Sequence, residues 1–325
     1  MSTVEREVMS RSPLSGIRVN FGSYVVEMQR KDGAHRVNGI PDYAFALDCK
    51  LREKIRKLPF FYTLSKKVAV HAEARYRQML TASAVLAGPN QFPDIYEMTQ
   101  DCAKRLGIGA PNVYVLHDQS INAFTYASDT VTPTIVVHSG IVERMTPGEL
   151  KCVIGHECGH VHNEHQVYMS ICDLISGAFS GPGAVLQLLS TTTVLLFLEW
   201  SRAAEVTCDR AAMICADNIQ DAINVNKKLA YGTFLNREVE VDIEVLRSQL
   251  DDLSTVASVF TEMGNSHPSS IRRVLTSEEF SHCELLYQWR PEWKRPGMKL
   301  HTKQETDAAC AKYTAVVKES RKEGK

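Results

Sequence analysis

Two histidines four residues apart, with a glutamate between them, have a spacing suited to metal chemistry. His156 and His160 bound the motif His-Glu-Cys-Gly-His, and Glu157 follows the first histidine. Residues four apart on an α-helix are neighbours, so both imidazoles can direct a ring nitrogen at one zinc ion about 2.0–2.1 Å away. Zinc lowers the pKa of a water that it holds to about 7, and Glu157 can take the proton as this water attacks a carbonyl carbon. The motif therefore predicts metal-assisted hydrolysis.

A third metal ligand has to come from elsewhere in the chain. The position six residues after His160 is Gln166, and Asn163 replaces the intervening glycine, which excludes a three-histidine site of the metzincin type. A downstream segment carries Glu205 and, one helical turn later, Asp209. Glu205 can complete a His₂Glu site, and Asp209 can accept the other ring N–H of a ligand histidine.

The motif is predicted to lie on a helix for reasons that do not involve its histidines. Thr146 is a suitable N-cap, Pro147 suits the first helical position, and Glu149 completes a capping box. By helical periodicity His162 and His165 point away from the face of the two candidate ligands. We therefore predict surface or second-layer positions for both.

The flanking segments predict a small sheet and further helices. Alternating and β-branched residues predict strands at 23–28, 112–116, 123–127 and 134–138. Apolar residues at helical spacing predict helices at 93–106 and 185–213, and the second of these carries Glu205. The expected fold is mainly helical α+β, with a small β-sheet packed on the motif helix and a second long helix that carries the glutamate ligand.

Composition is that of an ordinary globular protein. The 325 residues carry a net charge of −1, so nothing in the charge calls for a nucleic-acid partner. The N-terminus has no uninterrupted apolar core, and the nine scattered cysteines are typical of reduced thiols, which predicts a cytoplasmic protein. The uncharged stretch between Asp173 and Glu199 has about 15 unbroken apolar residues, fewer than the roughly 20 that span a bilayer. A buried helix is expected there, and membrane association is the less favoured alternative.

Several further segments resemble the HtpX-like and CAAX-prenyl-endopeptidase-like zinc peptidases, gluzincins of metallopeptidase family 48, and chiefly their soluble members. The matching pieces are residues 122–124, 133–140, 149–150, 156–160, Arg202, Glu205, 209–210, 266–268 and Arg272. Together they cover roughly residues 95 to 275. Cys158 stands where the family usually has a larger aliphatic residue, and Cys208 stands where it usually has alanine. Both cysteines are small and apolar.

The resemblance implies a zincin-type catalytic domain at residues 93–288, with one zinc ion per chain. His156, His160 and Glu205 are the implied ligands, Glu157 the general base, and Asp209 the residue that orients a ligand histidine. An N-terminal helical extension packed on this domain is expected at residues 1–92, and a basic tail or helix at 289–325.

The resemblance also implies how a substrate is held. An extended peptide is expected to pair through its main chain with the strand at 134–138 or with the neighbouring edge at 122–124. By analogy with thermolysin-like enzymes, His267 is nominated to stabilise the oxyanion, the alternative being that it caps a helix that starts at Pro268. The candidate substrate-binding residues are Asn122, Ala123, Phe124 and Val136.

The sequence thus predicts a zinc-dependent endopeptidase that acts on unfolded or extended polypeptides. One alternative is a catalytically silent or latent peptide-binding module of the same fold, and another is a membrane-associated quality-control protease. An intact Glu157 beside all three ligands favours the enzyme, because a scaffold has no physical need for a general base.

Overall fold

The computed structural model describes residues 21–30, 35–58, 63, 67, 76, 78–128, 131–175, 190–233, 241–252 and 270–314. The strands are β1 (Arg36–Val37), β2 (Ile40–Pro41), β3 (Ala84–Leu86), β4 (Asn112–Leu116), β5 (Ala123–Ser128) and β6 (Val131–His138). The helices are α1 (Phe21–Arg30), α2 (Ala46–Arg56), α3 (Pro93–Leu106), α4 (Ser139–Arg144), α5 (Pro147–His162), α6 (Gln166–Ile175), α7 (Thr191–Cys215), α8 (Ile219–Tyr231), α9 (Ile243–Asp252), α10 (Ser270–Ser281), α11 (Glu284–Trp289) and α12 (Lys303–Thr314). The fold is mainly helical α+β, as predicted.

Four strands form a mixed sheet in the order β3-β4-β6-β5. β4 and β6 are parallel, with Val113 opposite Ile135, whereas β3 and β5 are antiparallel to their neighbours. β6 lies inside the sheet, and Ile135, Val136 and Val137 are fully buried. β5 is an edge strand, since no other strand of the described residues pairs with its outer side.

The motif helix α5 starts where the sequence predicts. The Thr146 hydroxyl accepts a hydrogen bond from the Glu149 N–H, and the Glu149 carboxylate accepts one from the Thr146 N–H at 2.8 Å. Lys228 of α8 also donates to the Glu149 carboxylate, at 2.6 Å. This capping box fixes the first turn, and with it the rotation of the histidine-bearing face.

Helices α5 and α7 approach closely because small residues line their contact. A Cβ atom on Gly159 would lie 2.7 Å from the Cβ of Ala211, and one on Gly155 would lie 2.6 Å from the Cβ of Cys215. Real Cβ atoms essentially never come so near, so both positions require glycine if the two helices are to keep this distance. The close crossing brings Glu205 of α7 opposite the histidines of α5.

The predicted strand at 23–28 is wrong, because these residues belong to α1. Tyr24 is buried in the core, and Phe21, Val25 and Met28 pack against it. Positions 21, 24, 25 and 28 lie on one face of a helix, a pattern that an alternating interpretation of six residues misses. The predictions for 93–106 and 112–116, in contrast, coincide with α3 and β4.

The segment around α2 is joined to the long helix by a second apolar cluster. Phe45, Leu51 and Ile55 pack there against Trp200 of α7 and Cys310 of α12.

Among the described residues, no helix has both the length and the apolar character needed to cross a bilayer. Part of the uncharged stretch, residues 176–189, lies outside the described residues.

Candidate metal centre

Both imidazoles of the motif meet the carboxylate of Glu205 where α5 crosses α7. His156 Nε2 lies 3.3 Å from Glu205 Oε2, and His160 Nε2 lies 3.5 Å from Glu205 Oε1. Two ligand atoms that are each about 2.0–2.1 Å from a tetrahedral zinc ion are about 3.3–3.4 Å apart. Each histidine therefore lies at about a ligand-to-ligand spacing from one of the two Glu205 oxygens.

A hydrogen bond fixes the orientation of the first histidine. His156 Nδ1 lies 3.0 Å from Asp209 Oδ1, so the Nδ1–H donates to this carboxylate and Nε2 faces Glu205. Burial lowers the pKa of His156, but the hydrogen bonds to Asp209 and Glu205 outweigh burial and raise its pKa to about 9. A positive charge is thus stabilised between His156 and Glu205, and a divalent metal fits this donor set.

Arg273 of α10 is part of the site and was missed by sequence reasoning. Its Nε and Nη2 atoms donate to the two oxygens of Asp209 at 2.9 and 2.6 Å, and its Nη1 lies 3.4 Å from Glu205 Oε2. Burial raises the pKa of Asp209, but Arg273 and His156 outweigh burial and hold it below the usual value. The guanidinium therefore keeps Asp209 ionised as the acceptor for His156.

The family resemblance pointed to the preceding residue instead. Arg272 donates to the backbone oxygen of Tyr313 in α12, and it is Arg273 that lines the cleft. Adjacent residues of a helix point about 100° apart, so only one of the two arginines can face α7. The sequence alone could not choose between them, because both follow the same Ser-His-Pro segment.

Glu157 is held by a residue of the edge strand. The Thr125 hydroxyl of β5 donates to Glu157 Oε2 at 2.7 Å and lies 3.3 Å from the Glu157 backbone oxygen. Glu157 lines the same cleft as the two histidines. The predicted general base therefore has a fixed orientation beside the metal centre, set by a residue that the sequence did not single out.

A buried histidine lies behind His160. His165 Nδ1 is 3.2 Å from His160 Nδ1, and His165 Nε2 is 3.1 Å from Asp48 Oδ2. Helix α5 ends at His162 and Glu164 has a positive φ of 57°, so the chain turns back and helical periodicity no longer applies. Burial lowers the pKa of His165 to about 4 despite the neighbouring Asp48, which keeps the imidazole neutral. The sequence predicts a surface or a second-layer position for His165, and the residue occupies the second layer, behind His160.

Cys208 is a further group beside the two histidines. A ligand atom from each of His156, His160 and Cys208 lies within 4.8 Å of the other two. Burial raises the pKa of the Cys208 thiol well above its usual value, and Glu205 raises it further. Because the thiolate is the form that binds metals, the carboxylate of Glu205 is the better third ligand.

The metal centre opens into a cleft of about 710 Å³ lined on one side by β5. Asn122, Ala123 and Phe124 all line it, next to His156. Val136 is different, because it is fully buried on β6, whose two edges are already paired with β4 and β5. Of the two strands considered for peptide pairing, β5 is the one with an edge that no described strand occupies. His267 lies outside the described residues.

Comparisons with known proteins identify related sequences. The model of peptidase family M48 matches residues 89–279. The plastoglobule-localized metallopeptidase 48 of Arabidopsis thaliana is 31% identical over 207 residues, which are 61% of this chain and 60% of the relative. An HtpX protease homologue of Sulfurihydrogenibium is 36% identical over 121 residues, 37% of this chain and 38% of the relative.

Another HtpX homologue, from Thermoanaerobacter pseudethanolicus, is 27% identical over 99 residues, 30% of this chain and 33% of the relative. The matches thus span less than two thirds of the length of these relatives. The search of solved structures found no significant match. The family model, however, matches more than half of the chain, on the residues that build the metal centre. The chain belongs to peptidase family M48.

Proposed function

We propose that this protein is a zinc-dependent endopeptidase that cleaves unfolded or extended polypeptides. One observation carries the proposal: the Nε2 atoms of His156 and His160 meet the Glu205 carboxylate at 3.3 and 3.5 Å, with Glu157 in the same cleft. Peptidases of this kind need a metal, a general base and an open groove for the chain. Each requirement has a candidate here.

The proposed division of labour follows from the contacts. His156, His160 and Glu205 would hold one zinc ion per chain, and Asp209 would orient His156. Zinc supplies Lewis acidity and lowers the pKa of water to about 7 when bound in this way. Glu157, oriented by the hydroxyl that bonds its Oε2, would take the proton of the attacking water and pass it to the leaving amine.

The substrate is proposed to lie along β5. An edge strand offers unpaired main-chain groups, so an extended peptide can add to it as a further strand. Asn122, Ala123 and Phe124 would provide this edge. The rings of Phe124 and Tyr126 lie 5.3 and 5.4 Å from that of Tyr76, and this aromatic group in the cleft would contact apolar side chains of the substrate. His267 stays a predicted stabiliser of the oxyanion, with the loss of kcat in His267→Ala as its test.

Zinc content and cleavage of unfolded casein test the proposal together. We expect about one zinc per chain in the wild type and in Glu157→Gln, with cleavage abolished only in the second. Glu205→Ala is expected to lose zinc, because two neutral imidazoles alone bind it weakly. Cys208→Ala is expected to keep it.

Two results would contradict the proposal, and one further variant serves as a control. A wild-type chain without zinc excludes the metal centre, whereas stoichiometric zinc without cleavage favours a latent peptidase or a peptide-binding module. Glu164→Gln, an exposed glutamate just beyond α5, is the matched control for Glu157→Gln and should change neither quantity.

We also propose a cytoplasmic location. All nine cysteines are free thiols, eight of them buried, as expected in a reducing compartment. The Arabidopsis relative is named for plastoglobules, so association with a lipid surface is the alternative. Fractionation with and without high salt separates the two: recovery in the membrane fraction after a high-salt wash would exclude the cytoplasmic proposal.

A further inference from the structure

We infer that Asp48 and His165 are positioning residues that present His160 to the metal in the tautomer needed for binding. The inference rests on the proposed zinc site and adds one residue, Asp48, from outside the part of the chain that the M48 model matches, residues 89–279. Its basis is a set of buried hydrogen bonds that runs from the Asp48 carboxylate through His165 to His160.

Asp48 is the acceptor at the start of this set. Its carboxylate is fully buried, and Oδ1 accepts the indole N–H of Trp200 at 2.9 Å. Its Oδ2 accepts the Thr207 hydroxyl at 2.7 Å. The Thr207 oxygen in turn accepts the backbone N–H of Phe45 at 3.1 Å, which leaves its own proton for Asp48. A carboxylate surrounded by such donors stays an acceptor.

The direction of the remaining bonds follows from that acceptor. His165 Nε2, 3.1 Å from Asp48 Oδ2, must carry a proton, so a neutral His165 has its lone pair on Nδ1. His160 Nδ1 lies 3.2 Å from His165 Nδ1, and with the lone pair on the latter atom His160 Nδ1 is the donor. The lone pair of His160 is left on Nε2, the atom that faces Glu205. Cys208 Sγ, 3.5 Å from His165 Nδ1, is at most a weak second donor to the same lone pair.

The two ligand histidines are thus oriented by different means. His156 donates directly to Asp209, whereas His160 donates to a neutral imidazole that is itself held by Asp48. Outer partners of this kind change metal affinity by about 10- to 100-fold when they are removed. A segment near the N-terminus therefore has an effect on zinc affinity without touching the metal centre.

Asp48→Asn tests the direction of the proton. The Trp200 indole can only donate, so the new amide oxygen has to remain opposite it and the amide NH₂ takes the place of Oδ2. This NH₂ donates to His165 Nε2 and moves the imidazole proton to Nδ1, where it opposes the proton of His160. We expect zinc to transfer from the holoenzyme to a chromophoric chelator with an affinity about 10- to 100-fold weaker than in the wild type.

Variants at His165 separate the hydrogen bond from packing. In His165→Asn the amide oxygen lies where Nδ1 was and can still accept from His160, so we expect zinc affinity within about threefold of the wild type. His165→Phe keeps an aromatic ring without an acceptor and should weaken zinc binding by about 10- to 100-fold. A merely structural role predicts the reverse order, because phenylalanine is the closer match to the ring.

Tyr43→Phe is the matched control. Tyr43 is a fully buried residue of the same N-terminal segment, and its hydroxyl contacts His162 Nδ1 at 3.0 Å on the other side of α5. We expect unchanged zinc affinity and an unchanged visible spectrum of the cobalt-substituted protein in this variant, and a shifted cobalt spectrum in Asp48→Asn.

The outcomes distinguish this inference from the proposed function. Equal zinc affinity in wild type, Asp48→Asn and His165→Phe overturns the role of the pair, whatever the casein result. Another outcome is that the wild type binds zinc without cleaving casein, and that zinc affinity falls in both variants. This result supports the role of the pair and contradicts the proposed peptidase. A wild type that binds no zinc overturns both.

Discussion

The orientation of Glu157 depends on one hydroxyl group. Thr125 Oγ1 donates to Glu157 Oε2 at 2.7 Å from the edge strand on which a substrate is proposed to lie. A general base works only within hydrogen-bond reach of the proton that it takes, so a carboxylate free to rotate spends less time in a productive position. This contact would link the proposed substrate binding at β5 to the proposed chemistry at α5.

Thr125→Val removes the hydroxyl and keeps the β-branched shape. We expect kcat for peptide cleavage to fall about 10- to 100-fold, with KM and zinc content changed little. Thr125→Ser keeps the donor and should retain most of the activity, which makes it the matched control. Equal kcat values for the valine and serine variants would show that Glu157 does not depend on this bond.

Among the elements, the crossing of α5 and α7 does most to build the metal centre. Gly159→Ala places a methyl group 2.7 Å from the Cβ of Ala211 and 3.1 Å from the Cα of Cys208, so the helices have to move apart. We expect the free energy of unfolding to fall by about 1–3 kcal/mol, although alanine is by itself the better helix former. Urea unfolding followed by circular dichroism measures this loss.

The companion variant identifies the cause. Ala211→Gly in the Gly159→Ala background removes the nearer atom and should recover a substantial part of the lost stability, a coupling expected only for residues in contact. Additive losses in the double variant would exclude the steric explanation. Zinc affinity should follow the same order, because the crossing sets the distance between Glu205 and the two histidines.

Elements with local signals could be predicted from the sequence, and those without could not. The capping box at Thr146 and Glu149 fixed the start of α5 in advance, since its partners are three residues apart. In α1 the spacing of apolar residues over so short a segment fits two periodicities, and the strand was the wrong choice. Length and flanking residues decide such cases, and neither was informative there.

The same distinction holds for the site. The meeting of His156, His160 and Glu205 could be predicted because these residues lie on two periodic helices, and here the histidine Nε2 atoms lie 3.3 and 3.5 Å from the Glu205 carboxylate. The contact between Asp48 and His165 could not be predicted, because 117 positions separate them and only tertiary packing brings them together. Sequence patterns report spacing along one element, whereas residues that orient ligands often come from another.

At the scale of the whole molecule, one buried arginine joins the N-terminal segment, the long helix and the C-terminal helix. Arg210 of α7 donates to the Tyr43 backbone oxygen at 3.1 Å and forms an ion pair with Asp307 of α12 at 2.7 Å. Its guanidinium also lies 5.2 and 5.0 Å from the ring centroids of Phe45 and Phe280. Phe280 belongs to α10, so this almost fully buried side chain of α7 contacts three other parts of the chain.

Arg210→Met should lower the free energy of unfolding by at least about 2 kcal/mol, because it leaves Asp307 buried without its main partner. The loss is smaller than for an isolated pair, since Lys303 still contacts Asp307 at 2.6 Å. Adding Asp307→Asn removes the unpaired charge and should recover part of the stability.

Urea unfolding followed by circular dichroism should show one cooperative transition in the wild type, because the N-terminal segment is tied to α7 rather than standing as a separate unit. Two transitions, or a loss below about 0.5 kcal/mol, would mean that Arg210 does not hold these parts together.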